Sequence, residues 1–324
     1  MRYAITGATG FVGGAVAGRL LGAGNEVFAL VRRPERAGSL AERGVTLVVG
    51  DLDDHHALDA LCDQRDGLFH VAGWYRLGDR DSDAGERVNV DGTRNVLGAA
   101  RRAGTARVVY TSTLAVNSDT GGRTFDERYR FTGRHLSVYD ETKARAHHIA
   151  KRFGDEGLPV VTVMPGLVYG PDDTSQTGAL LFRVIEGSRP MVARGGGNCW
   201  GYVDDIAAGH VLAMERGVPG ESYMLAGPEA TLAEGLQMAA EIAGTKGPII
   251  IPTGAVRALA VTAGGIGRLV PLPPLYAAET LRASLATYLG DPRRAQIELG
   301  WWCRPMREGL TALVESILGK PTGP

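Results

Sequence analysis

Apolar residues along the first half of the chain gather in short, nearly continuous runs. Stretches 2–6, 26–31, 45–50, 67–72, 107–112 and 159–165 read as strands. Runs such as ARVVYTS and PVVTVMP show no polar alternation, as strands buried on both faces require. Helical patterns lie between them at 11–23, 57–62, 88–103 and 139–157. Strands alternating with helices at this interval predict βαβ units and a parallel sheet. After about Gly170 the rhythm lapses, Pro and Gly become denser, and helical patterns recur at 179–186, 204–215, 231–243, 292–299 and 307–318. The expectation is an α/β fold. A doubly wound parallel sheet occupies 1–170, and a smaller, mainly helical C-terminal lobe occupies 171–324. Segments near 200–226, above all 222–225, are candidates to return to the sheet.

Composition narrows the function classes. The 324 residues allow two domains, or one large unit with an appended lobe. Thirty-five basic and thirty-six acidic residues give a net charge of -1, so no global field favours nucleic acid or an anionic membrane. Cys62, Cys199 and Cys303 are odd in number and far apart, which makes neither a disulfide framework nor a metal knuckle and suits a reducing compartment. The start, MRYAITGATG, lacks a signal-peptide pattern, and the longest apolar stretch, 247–275, is interrupted by Arg257, Arg268, Gly and Pro. A cytoplasmic location without a membrane span is expected. His55-His56 and His147-His148 are adjacent pairs that face different directions on a helix, so they read as surface residues and no metal is expected. Trp301-Trp302 reads as packing of the second lobe.

Two clusters carry chemistry. Thr6-Gly7-Ala8-Thr9-Gly10-Phe11-Val12-Gly13 lies between the first strand and the first helix. Glycines so spaced allow a tight turn, close backbone approach to a pyrophosphate, and a helix start aimed at its oxygens. Tyr139 and Lys143 stand four apart on the helix after the fifth strand, hence on one face. Alone this is an ordinary amphipathic pair. Here it follows a hydroxyl cluster, Thr111-Ser112-Thr113, in a chain that already carries a dinucleotide turn. A phenol titrates near pH ~10, and a neighbouring cation favours its phenolate form, which suits proton exchange with a carbonyl or alcohol oxygen.

Together these motifs resemble the extended short-chain dehydrogenases/reductases, the NAD-dependent epimerase/dehydratase family, in its dihydroflavonol-reductase-like branch. The resemblance runs from residue 2 to about residue 214 and implies a Rossmann domain. It implies cofactor contacts at Thr6, Gly7, Gly10, Phe11, Val12 and Gly13. Asp51-Leu52 would hold the adenine, and Val71-Ala72-Gly73 would run beneath adenosine and ribose. Asn89 matches a family asparagine near the cofactor, with a helix-start cap as the other reading. Thr111, Tyr139 and Lys143 also fall among the cofactor contacts, as do Pro165, Gly166 and Val168 of a segment that meets the nicotinamide amide, where Met164 replaces a common Arg. Arg32 stands where an NAD enzyme carries a carboxylate, which implies NADP(H) in preference to NAD(H), with Arg33 and Arg36 assisting. The family roles make Tyr139 the acid/base, Lys143 its electrostatic partner, and Thr113, with Ser112 as the fallback, the hydroxyl that steadies the substrate oxygen. Gly201-Tyr202-Val203-Asp204-Asp205 resembles a family element that supports the second lobe.

One absence bears on substrate. Sugar-nucleotide members usually carry an arginine shortly before that element, whereas here the stretch is Gly195-Gly196-Gly197-Asn198-Cys199-Trp200. Arg194 or Arg183 remains as a substitute. Trp74, Leu77, Leu114, Leu167 and Trp200 are candidates to line a pocket for an uncharged, fairly hydrophobic carbonyl or alcohol. Against this, His70 through Leu77 resembles a branch of hopanoid-associated sugar epimerases. The leading expectation is an NADPH-dependent carbonyl reductase acting on a small molecule. The alternatives are a nucleotide-sugar epimerase/dehydratase that retains NAD, and a dinucleotide-binding regulator without catalysis. Family habit adds a homodimer through the helices at 88–103 and 139–157.

Overall fold

The computed structural model describes residues 1–75, 82–266 and 278–319. Strands β1 (Arg2–Thr6), β2 (Glu26–Val31), β3 (Thr46–Val49), β4 (Gly67–His70), β5 (Val108–Thr111) and β6 (Val160–Pro165) form a parallel sheet in the order β3-β2-β1-β4-β5-β6. The order reverses on either side of β1, which opens a crevice at the carboxyl edge between β1 and β4. Val71, Ala72 and Ser112 belong by apolarity or position to predicted strands, yet they lie past the last ladder pair, in the loops that diverge over this crevice.

Each sheet face carries its own core. On one, helix Phe11–Gly22 buries Val16, Ala17 and Leu20 against Ile5, Phe69 and Val161. On the other, helices His55–Cys62, Gly92–Arg102 and Val138–Asp155 bury Leu58, Leu61, Val96, Leu97 and Ile149. The expected helix at 88–103 is divided into a π-wound turn, Glu86–Asp91, and the α-helix that follows it.

From Leu167 on, helices dominate as expected, but short strands that the sequence did not reveal lie among them. β7 (Leu167–Tyr169), β9 (Gly197–Tyr202), β11 (Glu229–Ala230) and β13 (Thr287–Tyr288) form one small sheet, and β8 (Met191–Ala193) pairs with β12 (Ile249–Ile251) in another. Strands of two to six residues are too short to leave a readable period. Two segments rejoin the first half. β10 (Ser222–Leu225) extends the main sheet beside β6 as its seventh strand among the described residues, and helix Val203–Arg216 shares the core of Phe11–Gly22. Trp301 is buried there, its indole N–H donating to the Asp205 carbonyl at 2.7 Å, whereas Trp302 is 69% exposed. The second lobe has its own core around Tyr169, Trp200, Leu236 and Leu310.

Candidate active site

A cleft of about 1430 Å³ runs from the carboxyl edge of the main sheet into the second lobe. Its floor is the glycine turn. Gly7 has φ +80°, and a Cβ there would stand 2.6 Å from the Ala72 nitrogen; a Cβ on Gly13 would stand 2.1 Å from the Gly7 oxygen. Both positions therefore exclude side chains, which leaves backbone facing the cleft. Helix Phe11–Gly22 starts at Gly10 with no side-chain cap, so its first N–H groups remain free for an anion. Beneath the turn lies a buried polar chain. The Ala72 N–H donates to Thr6 Oγ1 at 3.3 Å, Thr6 Oγ1 is 2.7 Å from His70 Nδ1, and His70 Nε2 is 3.1 Å from Thr93 Oγ1. Burial, followed by the Lys143 charge, pushes His70 down to about 3, so its imidazole is neutral.

The candidate cofactor residues divide. Thr6, Gly7, Gly10, Phe11, Val12, Gly13, Asp51, Leu52, Val71, Ala72, Gly73, Gly166 and Val168 all border the cleft. So does Arg32, which is exposed just after β2 and has no ion-pair partner among the described residues. Asp51 Oδ1 accepts from the Leu52 N–H at 2.7 Å. Arg33 is exposed and outside the cleft. Asn89 is elsewhere: its Oδ1 accepts from the Trp74 N–H at 2.7 Å and its Nδ2 donates to the Trp74 carbonyl and Thr142 Oγ1. It neither borders the cleft nor caps a helix; it ties the loop after β4 to the helix that bears Tyr139. Pro165 ends β6, buried, and does not border the cleft.

Helix Val138–Asp155 begins at Ser137, whose hydroxyl accepts from the Asp140 N–H, and this places Tyr139 in the first turn at the cleft. The Tyr139 ring packs edge-on against Tyr75 at 4.8 Å between centroids, and Thr113 borders the cleft beside it. Burial pushes the phenol up, the Tyr75 side chain adds to this, and the Thr113 hydroxyl opposes it. One turn on, Lys143 Nζ donates to the Thr111 carbonyl at 2.7 Å and lies 3.5 Å from the Tyr110 hydroxyl. Burial pushes this ammonium down to about 7. Thr113 and Ser112 both border the cleft, but Ser112 Oγ is 2.9 Å from His147 Nδ1, whereas Thr113 Oγ1 accepts only from the Ala115 N–H, at 3.2 Å, among the described residues. His147 is thus not a surface residue, because helix periodicity turns it toward the strand end while His148 remains exposed. Thr111 is also held from behind. The His210 Nδ1–H donates to the Ile206 carbonyl at 2.8 Å, which leaves Nε2 to accept from the Thr111 hydroxyl at 3.0 Å.

Of the apolar candidates, Trp74, Leu114 and Leu167 border the cleft, and Leu77 lies outside the described residues. Trp200 does not border it. Its indole is fully buried in the second lobe, donates to the Ala230 carbonyl at 3.0 Å, and presses on Gly235, where a Cβ would stand 2.4 Å from the ring. An aromatic in a Gly-rich run reads as a wall because sequence does not show which strand face it occupies. Tyr75 and Tyr288 were missed. Tyr288 borders the cleft and donates to Asp140 Oδ2 at 3.1 Å, joining the second lobe to the residue beside Tyr139. Tyr75 follows Trp74 in a loop with no period, and Tyr288 sits in a two-residue strand, so neither left a signal.

These residues fit a nicotinamide dinucleotide. The side-chain-free turn and uncapped helix suit a pyrophosphate, the Asp51 carboxylate an adenine amine, and Lys143 a ribose hydroxyl. Comparisons with known proteins agree. Residues 3–226 match the model of the NAD dependent epimerase/dehydratase family. A Synechocystis protein whose name assigns it provisionally to dihydroflavonol 4-reductase is 37% identical, across 69% of this chain and 67% of its own. A Stigmatella aurantiaca 4-hydroxy-2-methyl-3-oxo-4-farnesyl-3,4-dihydroquinoline-1-oxide ketoreductase is 33% identical across 97% of this chain and 96% of its own. The crystal structure of gox2253 superposes with a TM-score of 0.85 at 32% identity, covering 98% of both chains.

Proposed function

We propose that this chain, which belongs to the NAD dependent epimerase/dehydratase family and so to the extended short-chain dehydrogenases/reductases, is an NADPH-dependent reductase of an apolar ketone or aldehyde. The reaction also runs in reverse as alcohol oxidation. A bound reduced nicotinamide supplies the hydride. Tyr139 gives its phenolic proton to the substrate oxygen. Lys143, held by the Thr111 carbonyl, stabilises the phenolate that remains. Thr113 donates to the same oxygen and so aligns it with Tyr139. Arg32 takes the 2′-phosphate that distinguishes NADPH from NADH. The observation that carries this reading is that Thr113, Tyr139 and the buried Lys143, one helical turn on, share one cleft with the glycine turn.

The named ketoreductase supports the direction of reaction, and Trp74, Leu114 and Leu167 support an apolar substrate. Its expected setting is the cytoplasm, as a homodimer by family habit. Nicotinamide absorbance with NADPH or NADH and a panel of ketones tests the proposal. Oxidation of NADPH in preference to NADH is expected. Oxidation of neither, with NAD released when the protein is denatured, would identify an epimerase that recycles its coenzyme internally.

A further inference from the structure

The far end of the cleft lies between the β8–β12 ladder and helix Thr253–Ile266. Met191, Ile251, Val256, Leu259 and Ala263 line it there. A drug-sized ligand site spans about 300–1,000 Å³, so 1430 Å³ leaves room for a substantial apolar body beyond the dinucleotide. The lining does not stop at the cleft mouth. Met191 and Leu259 are 62% and 50% exposed, and they continue into Ile249, Ile250 and Val261, which are solvent-facing too. Ile249 is the ladder partner of Met191. Helix Thr253–Ile266 buries Val256, Ala260 and Ala263 toward the protein, yet its outer face, Gly254, Ala255, Arg257, Ala258 and Val261, carries a single charge. A surface helix whose only debt were to the core would be polar there.

The two segments that carry the patch hold charge of one sign. Residues 187–198 and 244–266 contain Arg189, Arg194, Lys246 and Arg257 and no Asp or Glu, and all four cations are exposed. Glu186, at the end of helix Gln176–Ile185, and Glu241, which pairs with Arg307, are the carboxylates adjoining them in sequence. The local excess is positive although the whole chain has a net charge of -1. Apolar side chains rimmed by Lys and Arg match a bilayer interface, where the apolar tips enter the acyl boundary and the cations meet lipid phosphates. We propose that this face docks on an anionic lipid bilayer and that the cleft opening within it takes its apolar carbonyl substrate directly from the membrane. The substrate half of this statement rests on the reductase reading; the docking half does not.

The test is co-sedimentation of the full chain, without cofactor, with phosphatidylglycerol/phosphatidylcholine vesicles and with phosphatidylcholine alone. Binding to the anionic vesicles, falling as salt rises from about 0.05 M to about 0.5 M, is expected. Val261→Glu and Arg257→Glu, both outside the cleft lining, should each lower the bound fraction by about tenfold or more. Both should keep the wild-type thermal midpoint and the rate with a water-soluble ketone. No vesicle binding, or binding that ignores both substitutions, overturns the proposal. A concentration-dependent dimer that Val261→Glu dissolves also overturns it, because the occupant is then a second copy. Ketone reduction without vesicle binding leaves the reductase reading intact and removes docking. Vesicle binding without reduction of any ketone does the reverse.

Discussion

The two walls of the cleft are held by different means. On the sheet side nearly every group that faces the ligand is fixed from behind: Gly7 and Gly13 by contacts that exclude a Cβ, Thr6 by His70, Thr111 by His210, Lys143 by the Thr111 carbonyl. On the side of the second lobe the lining mixes apolar side chains, such as Met191, Ile251, Val256 and Leu259, with polar and charged ones, among them Asp173, Arg183, Arg189 and Asn198, on short strands, loops and several helices, and Met191, Leu259 and Arg189 reach into water. The first wall is backbone and buried hydrogen bonds, which tolerate little change. In the second, the apolar part is dispersion contact, which tolerates substitution at similar volume. A fold built this way keeps one chemistry and can exchange its substrates.

That contrast can be broken experimentally, and the sharpest place is Tyr139. Tyr139→Phe removes the proton donor and keeps the ring on Tyr75, so kcat should fall by about 10²–10⁴ with NADPH affinity nearly unchanged. Turnover within a few-fold of wild type would show that the sheet wall is not where proton transfer occurs. Trp200 tests the other wall. Trp200→Ala should lower the unfolding free energy in urea by about 3–5 kcal/mol, as a void in the second core, while KM changes little. A raised KM at normal stability would return Trp200 to the pocket. Arg32→Ala should weaken NADPH by roughly 10–100-fold and NADH hardly at all, read by fluorescence titration; equal losses would detach Arg32 from the 2′-phosphate.

The smallest expected effect is a pH slope. Burial lowers Lys143 from 10.5 to about 7, so between those values the unfolded chain holds a proton that the folded chain has released. Stability of the cofactor-free protein should therefore rise with pH across that window, by at most about 1.4 kcal/mol per pH unit, and Lys143→Met should flatten this rise. An unchanged slope in the variant would mean that Lys143 keeps its proton throughout.

The same contrast explains what could be read in the chain. The strands of the main sheet were legible because burial on both faces forces unbroken apolar runs, and the turn at Gly7 was legible because only glycine fits it. That Tyr139, Lys143 and Thr113 share one cleft could be expected because spacing on a helix and position after β5 restrict where they can be. Supports from behind were not found. His210 and His147 reach Thr111 and Ser112 from helices 99 and 35 residues further on, and no local pattern encodes such pairings. Trp200 was expected in the pocket for its apolarity and Asn89 near the cofactor by family resemblance, or as a helix cap, yet each satisfies its polar atoms within the protein.

The return of β10 to the edge of the main sheet binds the two lobes in time as well as in space. Its partner β6 ends at Pro165, and the 56 residues between them include the strands that roof the cleft. The sheet cannot complete itself until that excursion has collapsed, because loop closure over such a length must precede the pairing. A fragment ending near residue 170 would expose the β6 edge and the apolar flank that Ile206 and Ala213 cover, and should aggregate rather than fold. Only part of the substrate wall belongs to this excursion: Met191 and Asn198 lie within it, whereas Ile251, Val256, Leu259 and Tyr288 follow β10 and join a sheet already closed.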